Sequence, residues 1–290
     1  MRLLTYTILT SFVLMIIACS GAVNKKNGSN SEPVKIIFLH HSTGNNIWMG
    51  GRTVPENKIL KKLHIHKTVK SPVSEWFHDY NMGHNKNYQI SDQFFPKAEP
   101  YGWHNYPFDY YNIWVKHAGN ETYKEEPTLE ILTKNYDVII WKHCFPVSNI
   151  LPDTTEPDIN SDIKTLGNYK LQYEALKHKM HEFPENKFVV WTGAALVQAA
   201  TTEENAKRAK KFFEWVRNEW DEPGDNIFLW DFYQLETEGS LYMKKEYASG
   251  ETDSHPNSLF SKNVYPFFCQ RIVDIIENDG GKTTLTGTFQ

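Results

Sequence analysis

Five short apolar runs, separated by longer segments with helical periodicity, constrain this chain more than any other feature. Val34 to Leu39 is nearly continuous and follows Pro33. Tyr88 to Phe95 partly alternates, and Tyr136 to Trp141, Lys187 to Trp191 and Asn226 to Asp231 complete the set. Runs of this length with little alternation read as strands buried on both faces, as in a parallel sheet. Between them, residues 165–183 place Leu166, Tyr169, Tyr173, Leu176 and Met180 three and four positions apart, the stripe of an amphipathic helix. Residues 202–220 open on a capping-box pattern with Thr201 as N-cap and Glu204 reaching back; Thr202 is the rival cap. Residues 257–278 read as a last helix, with Pro266 marking a kink or a break. Strands alternating with helices predict an α/β fold whose parallel sheet is covered on both faces. No repeat or composition break divides residues 34–278, which are expected to form one domain followed by a C-terminal tail, 279–290.

Charge and cysteine usage narrow the function classes. Of 290 residues, 31 are Lys or Arg and 35 are Asp or Glu, a formal net charge of −4. That balance lacks the basic excess needed to neutralise phosphates, so no nucleic-acid partner is expected. Three cysteines cannot make a disulfide framework. Residues 1–18 carry Arg2 and then an apolar run from Phe12 to Ala18, a signal peptide by composition and too short for a membrane span. The run ends Ile16-Ile17-Ala18-Cys19-Ser20, which resembles the lipobox of bacterial lipoproteins. The resemblance implies that Cys19 carries lipid and that the exported chain is anchored to the cell envelope, not threaded through it. Residues 19–33, small, polar and aperiodic after the Cys, are expected to be a flexible tether. Cys144 and Cys269 remain, and both a disulfide between them and two buried thiols stay open.

Chemistry is sought just beyond the strands, because ligands of open α/β sheets bind outside the strands' carboxyl ends. The first strand runs into His40-His41-Ser42-Thr43-Gly44-Asn45-Asn46. A serine in that turn is placed to be a nucleophile or, more plainly, a helix N-cap, and its own amide can face an oxyanion. Near the C-terminus stands Glu251-Thr252-Asp253-Ser254-His255-Pro256-Asn257. A histidine beside acidic residues and fixed by proline suits a general base; the plainer reading is an exposed turn. Together the two segments supply what a serine nucleophile needs, a base for its proton and an orienting partner for that base.

A serine after strand one with Asp, His, Pro and Asn ahead of the last helix resembles the SGNH/GDSL-type hydrolases, a family of esterases and acylhydrolases. The resemblance spans most of residues 34–278. It implies a flavodoxin-like, three-layer α/β/α fold with a mainly parallel five-stranded sheet, and it implies Ser42 as nucleophile and His255 as base. Two departures stand out. His40-His41 replaces the family's Gly-Asp before the serine, and Asp253 lies two residues before His255 where the family has three. Asp253 is the first choice of orienting group and Glu251 the second; a backbone carbonyl would leave a Ser–His dyad.

The family's oxyanion hole adds a Gly and an Asn from its middle blocks. Here Gly102, with Gly83 as rival, and Asn149 are the candidates. Tyr101 to Trp114 holds seven aromatics in 14 residues, which suit either a core or a sugar-stacking wall. Tyr101 and Trp103, with His41 beside the serine, are the candidate substrate-binding residues. His64, His66, His40 and His41 invite a metal reading, but no set of three or four converging ligands is legible, and no metal or cofactor is expected. The chain is therefore expected to be a lipid-anchored serine esterase that removes acyl groups, acetyl first, from an extracellular carbohydrate. The alternatives are a non-catalytic glycan-binding lipoprotein with a degenerate Asp/His block, or a non-hydrolytic carbohydrate-active enzyme such as a lyase.

Overall fold

The strands are β1 (Val34–His40), β2 (Tyr88–Phe94), β3 (Val138–Trp141), β4 (Lys187–Trp191) and β5 (Ile227–Trp230). Every pair is parallel, and the order across the sheet is β2-β1-β3-β4-β5. The computed structural model describes residues 32–52, 70–102 and 104–290. The expected signal peptide, Cys19, most of the tether, His64, His66 and Trp103 lie outside the described residues. Ser31–Gln290 is one compact unit.

Alternate residues of each strand enter opposite layers, which is why the runs look continuously apolar in sequence. Ile37, Leu39, Ile139, Trp141 and Val190 join one core. That core is covered by α3 (Pro107–Tyr111), α4 (Leu129–Asn135), α5 (Leu166–His181) and α6 (Glu203–Trp215). Ile36, Phe38, Ile140, Val189 and Trp191 join the other, under α1 (Ser42–Trp48), α2 (Pro72–His84) and α8 (Ser258–Asn278). A short α7 (Phe232–Thr237) follows β5. The result is the expected three-layer α/β/α architecture. The order in which strands are added reverses between β1 and β3, so the crevice beyond their carboxyl ends is the natural ligand site.

Three local expectations change. The N-cap of α6 is Thr202, whose hydroxyl accepts from Asn205 N–H at 3.2 Å. Thr201 donates instead to Asn149 Oδ1 at 3.0 Å, so a tertiary partner removes it from the cap. Pro266 sits inside α8, which runs unbroken to Asn278. Phe260, Val264, Phe268 and Ile272 keep one apolar face in the core across the proline. The residues after 278 fold back: Thr283 bridges Phe289, and Asp231 N–H donates to Leu285 O at 2.6 Å.

The aromatic stretch is mostly core. Tyr101, Tyr110, Tyr111 and Trp114 are buried, with Tyr110 packed edge-on against Trp114 at 4.9 Å. Cys144 and Cys269 are buried and unpaired. No helix of the described residues is long and apolar enough to cross a membrane.

Candidate active site

Ser42 opens α1 two residues beyond the end of β1. The turn is tight because of Gly44: a Cβ there would lie 2.4 Å from His40 Cβ. The first intrahelical bond is Asn45 N–H to His41 O, 2.9 Å. Earlier amides of the turn, Ser42's among them, therefore precede the ladder.

His255 lies 213 residues further on, and its Nε2 is 2.8 Å from Ser42 Oγ. Its Nδ1 is 2.6 Å from Asp253 Oδ1, which also accepts from His255 N–H at 3.0 Å. A carboxylate only accepts, so Nδ1 carries the proton and Nε2 is left as acceptor for the serine hydroxyl. The two-residue spacing is that of a side chain bonding backbone two residues on, an Asx-turn. Burial, the largest single influence, raises the Asp253 carboxyl, but the His255 amide and ring together outweigh it and hold the carboxyl below its usual value. Glu251 is not needed as orienting group.

Several contacts fix the histidine turn. Ser254 is buried, and its Oγ accepts from Val197 N–H in the loop after β4 at 3.0 Å. Ser249 N–H donates to His255 O at 2.8 Å. Asn257 caps α8, its side chain accepting from Phe260 N–H at 2.9 Å. Asn46 on α1 donates to Pro256 O at 2.9 Å, tying the serine's helix to the histidine's turn. Phe145, just beyond β3, meets the His255 ring edge-on at 4.8 Å. Phe94, the last residue of β2, packs against the rings of His40 and His41 and is 37% exposed.

The remaining candidates make contacts of their own. Gly102 N–H donates to Ala98 O at 3.2 Å, so that amide is not open to an oxyanion; its φ of +53°, not lack of space, is what favours glycine there. Asn149 Oδ1 accepts from Thr201 and, at 2.7 Å, from Asn205 at the start of α6. Among the described residues no hydrogen bond joins Asn149 to Ser42 or His255. Tyr101 is buried with its hydroxyl on Asn112 Oδ1 at 2.5 Å, so it cannot stack on a ligand. His41 is buried as well, and its Nε2 donates to Pro96 O at 2.5 Å. Burial, with the Lys142 charge adding to it, brings the His41 ring down to about 4, which leaves no cation for an acidic substrate group. Gly83, the rival glycine, lies within α2.

His41 and its neighbours instead build the wall behind the serine. Glu126 Oε1 accepts from Lys97 N–H at 2.5 Å and Ala98 N–H at 2.6 Å, which orders the loop that His41 grips. His40 spans His41 O at 2.9 Å and Asp92 Oδ2 at 3.1 Å. Asn105, buried, donates to Phe95 O and Tyr110 Oη and accepts from Cys144 N–H at 2.7 Å, joining the loops after β2 and β3. Asn46, Asn105, Phe145 and Ser254 were not singled out from sequence. Asn46 and Phe145 stand near strand ends and Ser254 stands beside His255 in sequence; Asn105 carried no such signal. Among the described residues no three His, Cys, Asp or Glu side chains converge as a metal site requires. No protein-family model matches the chain, and no curated protein matches it.

Proposed function

We propose that the protein is a serine esterase of the SGNH type. The observation that carries this reading is the continuous line of hydrogen bonds from Ser42 Oγ through the His255 ring to Asp253, 2.8 and 2.6 Å long. His255 takes the hydroxyl proton as Ser42 attacks the ester carbonyl, then returns it to the leaving alcohol. Asp253 holds the ring's tautomer and stabilises the imidazolium. The Ser42 amide, ahead of the α1 ladder, donates to the developing oxyanion. Water then releases the acyl group by the same proton route.

The substrate class is part of the proposal. The His255 side chain is 30% exposed and that of Asp253 51% exposed, so the reacting ester is reached from the surface. A surface site admits a bulky acceptor bearing a small acyl group, which supports an acetylated extracellular carbohydrate. Cys19 is proposed to carry the lipid that keeps the enzyme at the cell envelope; incorporation of radiolabelled fatty acid that is lost in Cys19→Ala checks this.

The deciding experiment is intact mass after treatment with a fluorophosphonate, with Ser42→Ala as control. One adduct mapped to Ser42 and absent from the variant is the expected result. A protein that takes no adduct and turns over no acylated glycan overturns the esterase reading in favour of glycan binding or of non-hydrolytic carbohydrate chemistry.

A further inference from the structure

An ammonium group taken out of water requires a partner, and lysine is almost never fully buried without one. Lys142 has 0% exposure. It directly follows β3, and its Nζ lies 3.2 Å from Cys144 Sγ and 5.7 Å from the centre of the Trp191 ring. The nearby carboxyl belongs to Glu236 on α7, which is turned elsewhere. One of its oxygens accepts from Ala195 N–H at 2.6 Å, and the other has no partner among the described residues. Burial drives the Glu236 carboxyl well above its usual value, against the Ala195 amide and the Lys142 charge. Burial first, with the Lys142 charge adding to it, brings His41 to about 4 and His143 to about 3. Burial also lowers Lys142 itself, and the Cys144 sulfur opposes that shift. Among the described residues, that sulfur is the hydrogen-bond acceptor that Lys142 Nζ reaches.

Cys144 is held where it can play that part. Its backbone N–H is fixed by Asn105 Oδ1 at 2.7 Å. Thr43, the residue after Ser42, lies beside the same sulfur, and its buried hydroxyl makes no other hydrogen bond among the described residues. Burial pushes this thiol up, but Lys142 and Thr43 outweigh it and bring it below its usual value. Cys269 is the internal contrast, because burial without a cation pushes that thiol well up.

We propose that Lys142 and Cys144 form a buried ammonium–thiolate pair that holds the first turn of α1, and with it Ser42, in place. The thiol proton resides on Nζ, so the pair carries the same protons as the neutral amine and thiol and no other bond changes. Both are positioning residues, acting on the serine through Thr43. Only the effect on catalysis rests on the esterase reading.

The test compares the full chain with Cys144→Ser, Lys142→Met and Lys142→Met/Cys144→Val at neutral pH. A thiolate absorbs in the ultraviolet where a protonated thiol does not. The wild type is expected to show one thiolate more than Cys144→Ser, and Lys142→Met to lose it. Hydrogen exchange at Asn45 to Met49 is expected to quicken about tenfold in Cys144→Ser and in the double variant, with other helices unchanged. Fluorophosphonate labelling of Ser42 should slow by about the same factor. The double variant guards against mere misfolding, because replacing a buried ion pair by apolar groups is commonly neutral or stabilising. Absence of the thiolate band overturns the pair. Unchanged exchange in α1 of folded Cys144→Ser overturns the positioning role. A wild type that shows the band but takes no fluorophosphonate leaves the pair standing and overturns the esterase reading instead.

Discussion

Two residues separate Asp253 from His255, and that spacing reaches the ring because the backbone turns on the carboxylate itself. Asp253 Oδ1 takes both the His255 amide and Nδ1, so one oxygen shapes the turn and orients the base. Asp253→Asn keeps the turn's acceptor but offers the ring no negative charge. It is expected to lower kcat on an aryl acetate by about 10²- to 10⁴-fold with Tm unchanged; steady-state kinetics and thermal unfolding check this. His143 gives a prediction of another kind. It is fully buried, its Nδ1 donates to Asn105 O at 2.9 Å, and burial brings it to about 3 from 6.5. Between those values the unfolded chain binds a proton that the folded chain does not, so stability falls as pH drops through that window. Relative to His143→Leu, the wild type should lose about 1.4 kcal/mol per pH unit there, read by urea unfolding across the range. Ser42 and His255 were legible in the sequence because each stands in a short motif tied to a strand or helix end. The partners of Gly102 and Asn149 were less legible: the Gly102 amide closes a local turn on Ala98 O, and Asn149 Oδ1 is taken by Thr201 and Asn205, far away in sequence.

At the scale of elements, the strands were readable for a physical reason. Burial on both faces makes each a continuous apolar run, and all five fall within two residues of the segments read from sequence. Helix ends were less readable, since Thr201 and Thr202 are equivalent as caps until Asn149 claims one of them. Helix α1 is short, and little in its sequence besides Gly44 and the two asparagines indicates how it is aimed. Its aim comes from Asn46, whose side chain donates to Pro256 O at 2.9 Å. Asn46→Ala removes that tie while leaving every member of the triad in the chain. It is expected to lower kcat about tenfold or more, with KM little changed, because a small misplacement of reacting groups is enough. An equal fall in kcat in Asn46→Asp, which keeps an acceptor but no donor, would place the effect on this bond.

The whole molecule is closed by its last residues. Thr283 N–H and Oγ donate to Asp274 at 2.8 and 2.6 Å, and Arg271 Nη1 donates to Thr283 Oγ1 at 3.1 Å. Trp230 Nε1 reaches Thr286 O at 3.0 Å, beside the Asp231 to Leu285 bond at the end of β5. Arg271 and Asp274 are both buried, so deleting residues 283–290 leaves buried charged groups short of partners. That truncation is expected to destabilise the domain by about 3–5 kcal/mol, measurable as a lowered urea midpoint. The segment expected to be a C-terminal tail thus serves as a strap, tying the end of α8 to the end of β5, where Trp230 is 56 residues from its partner Thr286.

The span between Ser42 and His255 has a kinetic meaning. Their 2.8 Å contact joins residues 213 positions apart, and the Asn46 to Pro256 bond joins residues 210 apart. Such contacts close last in loop-entropy terms, after the intervening strands have paired. A nascent or proteolysed chain that ends before Asp253 therefore lacks both groups that the proposed mechanism requires beside Ser42, whatever helix and sheet it has formed. During refolding from urea, fluorophosphonate reactivity should return with the slowest phase, behind the recovery of secondary structure, so the nucleophile acts as a reporter of complete topology.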